Sequence, residues 1–175
     1  LHITDATIVV NTSTSAGDSC EWNGPCVLDG AASVTYIGGG KYPALKVGVK
    51  NGDKTHSVTL KDSAKLYCLQ DDMSTPASAS VSGLEIFGAA DLLMEGNSYL
   101  EAEGKDSTGK YCGFGIASYG NVTVNDQAQI KASGYDVAMS ISGSLAVSGG
   151  TVIADSVYSN GIYADKSIKI SNGAV

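Results

Sequence analysis

Apolar residues alternate with other residues along most of this chain. Val58-Thr59-Leu60, Leu84-Glu85-Ile86, Val122-Thr123-Val124, Leu145-Ala146-Val147 and Ile168-Lys169-Ile170 all follow this rule, and small or turn-forming residues come soon after each. A period of two puts neighbouring side chains on opposite faces of an extended segment. Each run therefore predicts a short strand with one buried face. No apolar stripe at i, i+3, i+4, i+7 lasts beyond two turns, so no helix is expected.

The spacing of the strands predicts the architecture. Asn121, Ser144 and Ser167 open successive strands at a constant offset of 23 residues. At that offset Val122, Leu145 and Ile168 fall in one column, and Val124, Val147 and Ile170 in the next. The same offset pairs Ile130 with Ile153 and Tyr135 with Tyr158. A repeat of this length is the mark of a solenoid. With three short strands per repeat, the expected fold is all-β, a right-handed single-stranded parallel β-helix of about 23 residues per regular coil. A β-sandwich is the competing fold, but its strands do not keep constant inward columns at one period. We expect a single β-helix domain over residues 1–175, with irregular coils over 1–56 and regular ones over 57–175. Side loops are expected near 12–30, 70–82 and 103–113. Both ends read as open coils, so we expect a fragment of a longer chain whose ends can self-associate end to end.

Charge narrows the chemistry. The chain has 11 basic residues, all lysine, against 18 acidic ones, a net charge of −7. That balance disfavours nucleic acid and anionic membranes. No apolar run is long enough for a spanning helix, so membrane insertion is not expected. Without arginine there is no guanidinium clamp on a carboxylate or phosphate. Only His2 and His56 could serve a histidine-based nucleophile, and both read as solvated.

The four cysteines are compatible with an oxidising compartment. Cys20 and Cys26 flank a short loop with Asn23-Gly24-Pro25, which suits a local disulfide. For Cys68 and Cys112 the alternatives are a second bridge or a buried thiol.

The block from Asn160 to Val175, and Ser144 to Val152 before it, resemble repeats of bacterial cell-surface right-handed β-helix proteins. Those repeats read approximately DGIxADGxIxIxGGTV, and the proteins look like the pectate-lyase-like superfamily. The resemblance implies an extracellular or cell-surface location and a carbohydrate-binding or adhesin-like role. It also brings in calcium-dependent uronate lyases and inverting hydrolases. This chain departs from both: it has no arginine, and of the hydrolase motifs only Asp71-Asp72 has a counterpart.

The expected function is therefore non-catalytic binding of a polysaccharide or cell-surface glycan. Trp22, Tyr119 and Tyr163 are the candidate aromatic platforms, and Lys65 and Lys131 the cationic contacts. Calcium is the one cofactor considered, with Asp71, Asp72, Glu95, Glu101 and Glu103 as candidate ligands. The alternatives are a uronate lyase using Lys65 or Lys131 as base, and a purely structural stalk.

Overall fold

The computed structural model describes residues 1–12, 20–39, 42–48, 57–70, 82–104 and 113–175. These residues form a right-handed parallel β-helix built from three sheets. The first sheet stacks β1 (His2–Thr4), β4 (Cys26–Asp29), β7 (Val58–Leu60), β10 (Leu92–Met94), β13 (Val122–Asn125), β16 (Ser144–Ser148) and β19 (Ser167–Ser171). The second stacks β2 (Thr7–Asn11), β5 (Ser33–Gly38), β8 (Lys65–Gln70), β11 (Tyr99–Gly104), β14 (Gln129–Gly134) and β17 (Thr151–Ser156). The third stacks β3 (Cys20–Trp22), β6 (Leu45–Val47), β9 (Ser82–Ile86), β12 (Phe114–Ser118), β15 (Val137–Ile141) and β18 (Ile162–Ala164). Each coil visits the sheets in that order, and every strand pair is parallel.

The core consists of columns. On the first sheet Ile3, Leu28, Leu60, Met94, Val124, Val147 and Ile170 lie one above another, beside the column Cys26, Val58, Leu92, Val122, Leu145 and Ile168. Both predicted columns are therefore present. No coil could bury these residues alone; stacking removes their flanks from water except in the last coil, where Ile168 and Ile170 stay about half exposed.

The 23-residue period holds only at the C-terminal end. Registered positions of the first sheet are offset by 25, 32, 34, 30, 23 and 23 residues in chain order. The longer offsets include the segments outside the described residues. Several expectations change as a result. Leu84-Glu85-Ile86 belongs to the third sheet, in register with Leu45-Lys46-Val47, and not to the first. Cys20 to Gly30 is no side loop, because it supplies β3 and β4 with a corner at Asn23-Gly24-Pro25. The described strands before residue 57 pair in parallel, as those after it do.

The second sheet slips by one residue near the C-terminus. Gln129 pairs with Thr151, so Ile130 stacks on Val152 and Lys131 on Ile153. The turn before β17 is one residue shorter than the turn before β14. A one-residue shift exchanges the two faces of a strand. Val152 is 2% exposed and Ile153 is 54% exposed, which corrects the expected Ile130–Ile153 column.

The corner between the first and second sheets has a regular device. Asp5, Gly30, Asp62, Gly96, Asp126, Gly149 and Asn172 occupy it in successive coils, all with positive φ between 51° and 88°. Aspartate and asparagine tolerate this conformation because their short side chains bond locally. Asp5 Oδ1 accepts from the Ala31 N–H (2.7 Å), Asp62 Oδ2 from Gly30 (3.1 Å) and Asp126 Oδ2 from Gly96 (2.9 Å). At the corner entering the first sheet, Asp91, Asn121, Ser144 and Ser167 form a second hydrogen-bonded series, with contacts of 2.8–3.0 Å.

Candidate functional site

The outer face of the second sheet gathers the polar side chains. Lys65, Tyr99, Gln129 and Thr151 form one outward column, and Tyr67, Glu101, Lys131 and Ile153 the next. Parallel pairing sets neighbours in a column about 4.8 Å apart, and alternation sets the two columns roughly 7 Å apart. Lys65 and Lys131, the two expected cationic contacts, thus share one surface.

A groove of about 370 Å³ runs between the tyrosines of this face, bordered by Lys65, Asn97 and Gln129. The Tyr67 and Tyr99 rings lie 5.7 Å apart, tilted by 55°. Glu101 fixes the arrangement: its Oε2 accepts from the Tyr99 hydroxyl (3.0 Å) and its Oε1 from Lys131 Nζ (2.7 Å). Burial and then the Glu101 carboxylate hold the Tyr99 phenol above its usual range. The hydrogen bond that Lys131 donates to Glu101 likewise raises the Lys131 ammonium above its usual range. At neutral pH the face therefore presents a neutral phenol and an ammonium, both held by one carboxylate.

The other candidates lie elsewhere. Trp22 is no platform. It faces inward at the foot of the third sheet, 7% exposed, edge-on to Tyr36 (5.4 Å, 76°), and its Nε1–H donates to the Tyr36 hydroxyl at 2.8 Å. The reason is position: strand alternation puts Cys20 and Trp22 inside and Glu21 outside. Tyr119 sits at the corner after the third sheet, stacked on Phe87, and Tyr163 projects from that sheet in register with Ser140. Tyr135 and Tyr158 stack at a common corner as predicted, 5.9 Å apart and 9° from parallel.

Of the calcium candidates, Glu95 lies on the turn after β10, and Glu101 and Glu103 project outward from β11. With Glu101 engaged by Tyr99 and Lys131, no group of three or more His, Cys, Asp or Glu gathers among the described residues. Asp71, Asp72 and Cys112 lie outside the described residues. Cys20, Cys26 and Cys68 are free thiols, so the expected Cys20–Cys26 bridge is not formed. The two cysteines stand on different sheets, Cys20 in register with Leu45 and Cys26 with Val58. Burial pushes the Cys26 thiol up to about 12 and raises Cys68 as well.

Asn97 and Tyr99 were missed from the sequence. Aligning the small corner residues Ala64, Ser98 and Ala128 would have found them, since Tyr99-Leu100-Glu101-Ala102 then matches Lys65-Leu66-Tyr67-Cys68.

No protein-family model matches this chain, and comparison with curated proteins and with solved structures gives no match. The functional reading rests on the geometry of the face.

Proposed function

We propose that this chain is a non-catalytic, extracellular glycan-binding module whose binding surface is the outer face of the second sheet. The observation that carries the reading is the Tyr67–Tyr99 ring pair, with Tyr99 held by Glu101, at the edge of a polar groove. A sugar presents an apolar C–H face and a rim of hydroxyls. The tyrosine rings suit the first. The Gln129 and Asn97 amides and the Lys65 ammonium suit the second, as donors and acceptors. Such a groove on a rigid sheet needs little reorganisation to bind.

The lyase alternative is less well supported. A general base must be neutral near its working pH. Glu101 instead stabilises the charged form of Lys131.

A glycan array, run with and without EDTA and including uronate polymers, tests the proposal. Binding should be retained in EDTA. Titration of a hit should show Tyr99→Ala weakening it by about tenfold, the scale of one aromatic stacking contact. Lys65→Ala should weaken it less. A blank array, or affinity unchanged in both Tyr67→Ala and Tyr99→Ala, would overturn the reading.

A further inference from the structure

The third sheet carries a separate feature where its outer face meets the corner that follows it. The outward column of this sheet reads Glu21, Lys46, Glu85, Ala117, Ser140 and Tyr163 in chain order. Long side chains thus flank two small ones. Glu85 and Tyr163 are three strand spacings apart, about 14 Å, with only Ala117 and Ser140 between them.

At the corner, successive coils place Phe87, Tyr119 and Ser142. Their N–H groups donate to the Val47, Ile86 and Ser118 carbonyls at 2.8–2.9 Å, which establishes that the positions are equivalent. The Phe87 and Tyr119 rings stack face to face, 5.1 Å apart and 12° from parallel. Phe87 therefore covers one face of Tyr119 from the coil below. Ser142, in the coil above, is too small to cover the other, and Tyr119 remains 47% exposed. A hollow of about 170 Å³ opens there, bordered by Glu85, Phe114, Ala117, Tyr119, Ser140 and Ser142.

The lining selects the occupant. Tyr119 offers a flat apolar face one ring wide, while Ser140, Ser142 and Glu85 offer hydroxyls and a carboxylate beside it. An aromatic side chain seated there would strip water from these groups and return no hydrogen bond. A cation has no bare carboxylate to meet, since Glu85 is already engaged and in register with Lys46, and Asp165 accepts from the Tyr163 hydroxyl. An engaged carboxylate still has lone pairs for a hydroxyl. Burial, and then the Glu85 carboxylate, hold the Tyr119 phenol above its usual range, so at neutral pH it remains a hydroxyl. We propose that this hollow is a second sugar site, which takes one uncharged pyranose ring. The C–H face of the sugar lies on Tyr119, and its hydroxyls meet Ser140, Ser142 and Glu85. An acidic sugar is disfavoured, because Glu85 is the charged residue on the border. Tyr99 and Tyr119 belong to one coil but to different faces, so one chain holds two sugars at sites that do not depend on each other.

Methyl pyranosides of glucose, galactose, mannose and N-acetylglucosamine, titrated singly into the ¹⁵N-labelled protein, test this. At least one should shift the amides of Ala117, Tyr119, Ser140 and Ser142 saturably, with a Kd on the order of millimolar. Glycerol, which has hydroxyls but no ring, and acetyl-phenylalanine amide, which has a ring but no sugar hydroxyls, should not. Tyr119→Ala should weaken binding about three- to tenfold. Ser142→Phe, which puts a third ring on the stack, should abolish it while the circular dichroism of the fold is retained. Tyr99→Ala should leave these shifts unchanged. Shifts confined to Tyr99 and Gln129 would overturn this site and leave the second-sheet groove standing. No saturable shift at the hollow with any of the four pyranosides, equal shifts from glycerol or acetyl-phenylalanine amide, or unchanged affinity in both Tyr119→Ala and Ser142→Phe would likewise overturn it.

Discussion

Replacing Gly96 by alanine tests the corner between the first and second sheets. Gly96 has a φ of +68°, and a Cβ there would lie 2.9 Å from both the N and O of Asp62 and 3.0 Å from its Cα. These are backbone atoms in a held position, since the Asp62 carbonyl accepts from the Asn97 N–H at 2.6 Å and its carboxylate from Gly30. The left-handed conformation costs an alanine about 1–2 kcal/mol. Forcing a methyl against fixed backbone adds about 1–3 kcal/mol. The smaller entropy of the unfolded alanine chain offsets about 0.4–1 kcal/mol. The net loss is about 2–3 kcal/mol, or a fall of about 5–10 °C in Tm for a chain of this size. Thermal unfolding followed by far-ultraviolet circular dichroism, checked by urea titration, measures it. Gly96→Asn distinguishes the two causes. Asparagine tolerates positive φ, so a milder effect than alanine would assign the loss to the dihedral, whereas the close contacts predict equal damage. A Gly96→Ala protein melting within about 1 °C of the parent would refute the reasoning.

Three further outcomes are expected. Hydrogen bonds from Thr4 and His2 hold the Asp29 carboxyl below its ordinary range, so the stability they give is present above about pH 4 and is lost as the pH falls through that range; Asp29→Asn should flatten the dependence of the unfolding midpoint between pH 6 and 3. Buried Cys26 and Cys68 should resist alkylation in the native protein at pH 8, yet both should label in denaturant without reductant, as peptide mapping by mass spectrometry would show. Ile153→Lys should leave the melting curve almost unchanged, while Val152→Lys places an unpaired charge in the core and should cost several kcal/mol, read from the same melts.

The coil architecture was legible because burial dictates residue class. Val124, Val147 and Ile170 must all be apolar to sit in one stack, and their spacing exposed the repeat. The sheet that holds Leu84-Glu85-Ile86 was not legible, because any apolar–other–apolar triplet fits any of the three faces. Only the corner residues distinguish the sheets, and variable segments between strands hide those corners. The slip at Ile153 escaped for a related reason: isoleucine can face either way, and only the shorter turn before β17 decides. The site was half legible. Lys65 and Lys131 were placed on one face because the outward columns follow from strand alternation. Trp22 was misjudged because its neighbouring cysteines were read as a loop, when they mark an inward-facing strand and a corner.

The alternation of aspartate and glycine at the first corner gives the solenoid a parity. Asp5, Asp62 and Asp126 stand in odd-numbered coils, and Gly30, Gly96 and Gly149 in even ones. Like carboxylates are thereby kept two strand spacings apart, about 9–10 Å, close to the screening length of physiological salt. Removing the single coil that contains Gly96 would set Asp62 directly beside Asp126, two like charges in adjacent coils, and would take away the N–H that Asp126 now caps. Removing or duplicating a pair of coils would leave the alternation intact. At this corner the natural unit of growth is therefore the double coil, and chains of this design can change length by two turns far more readily than by one.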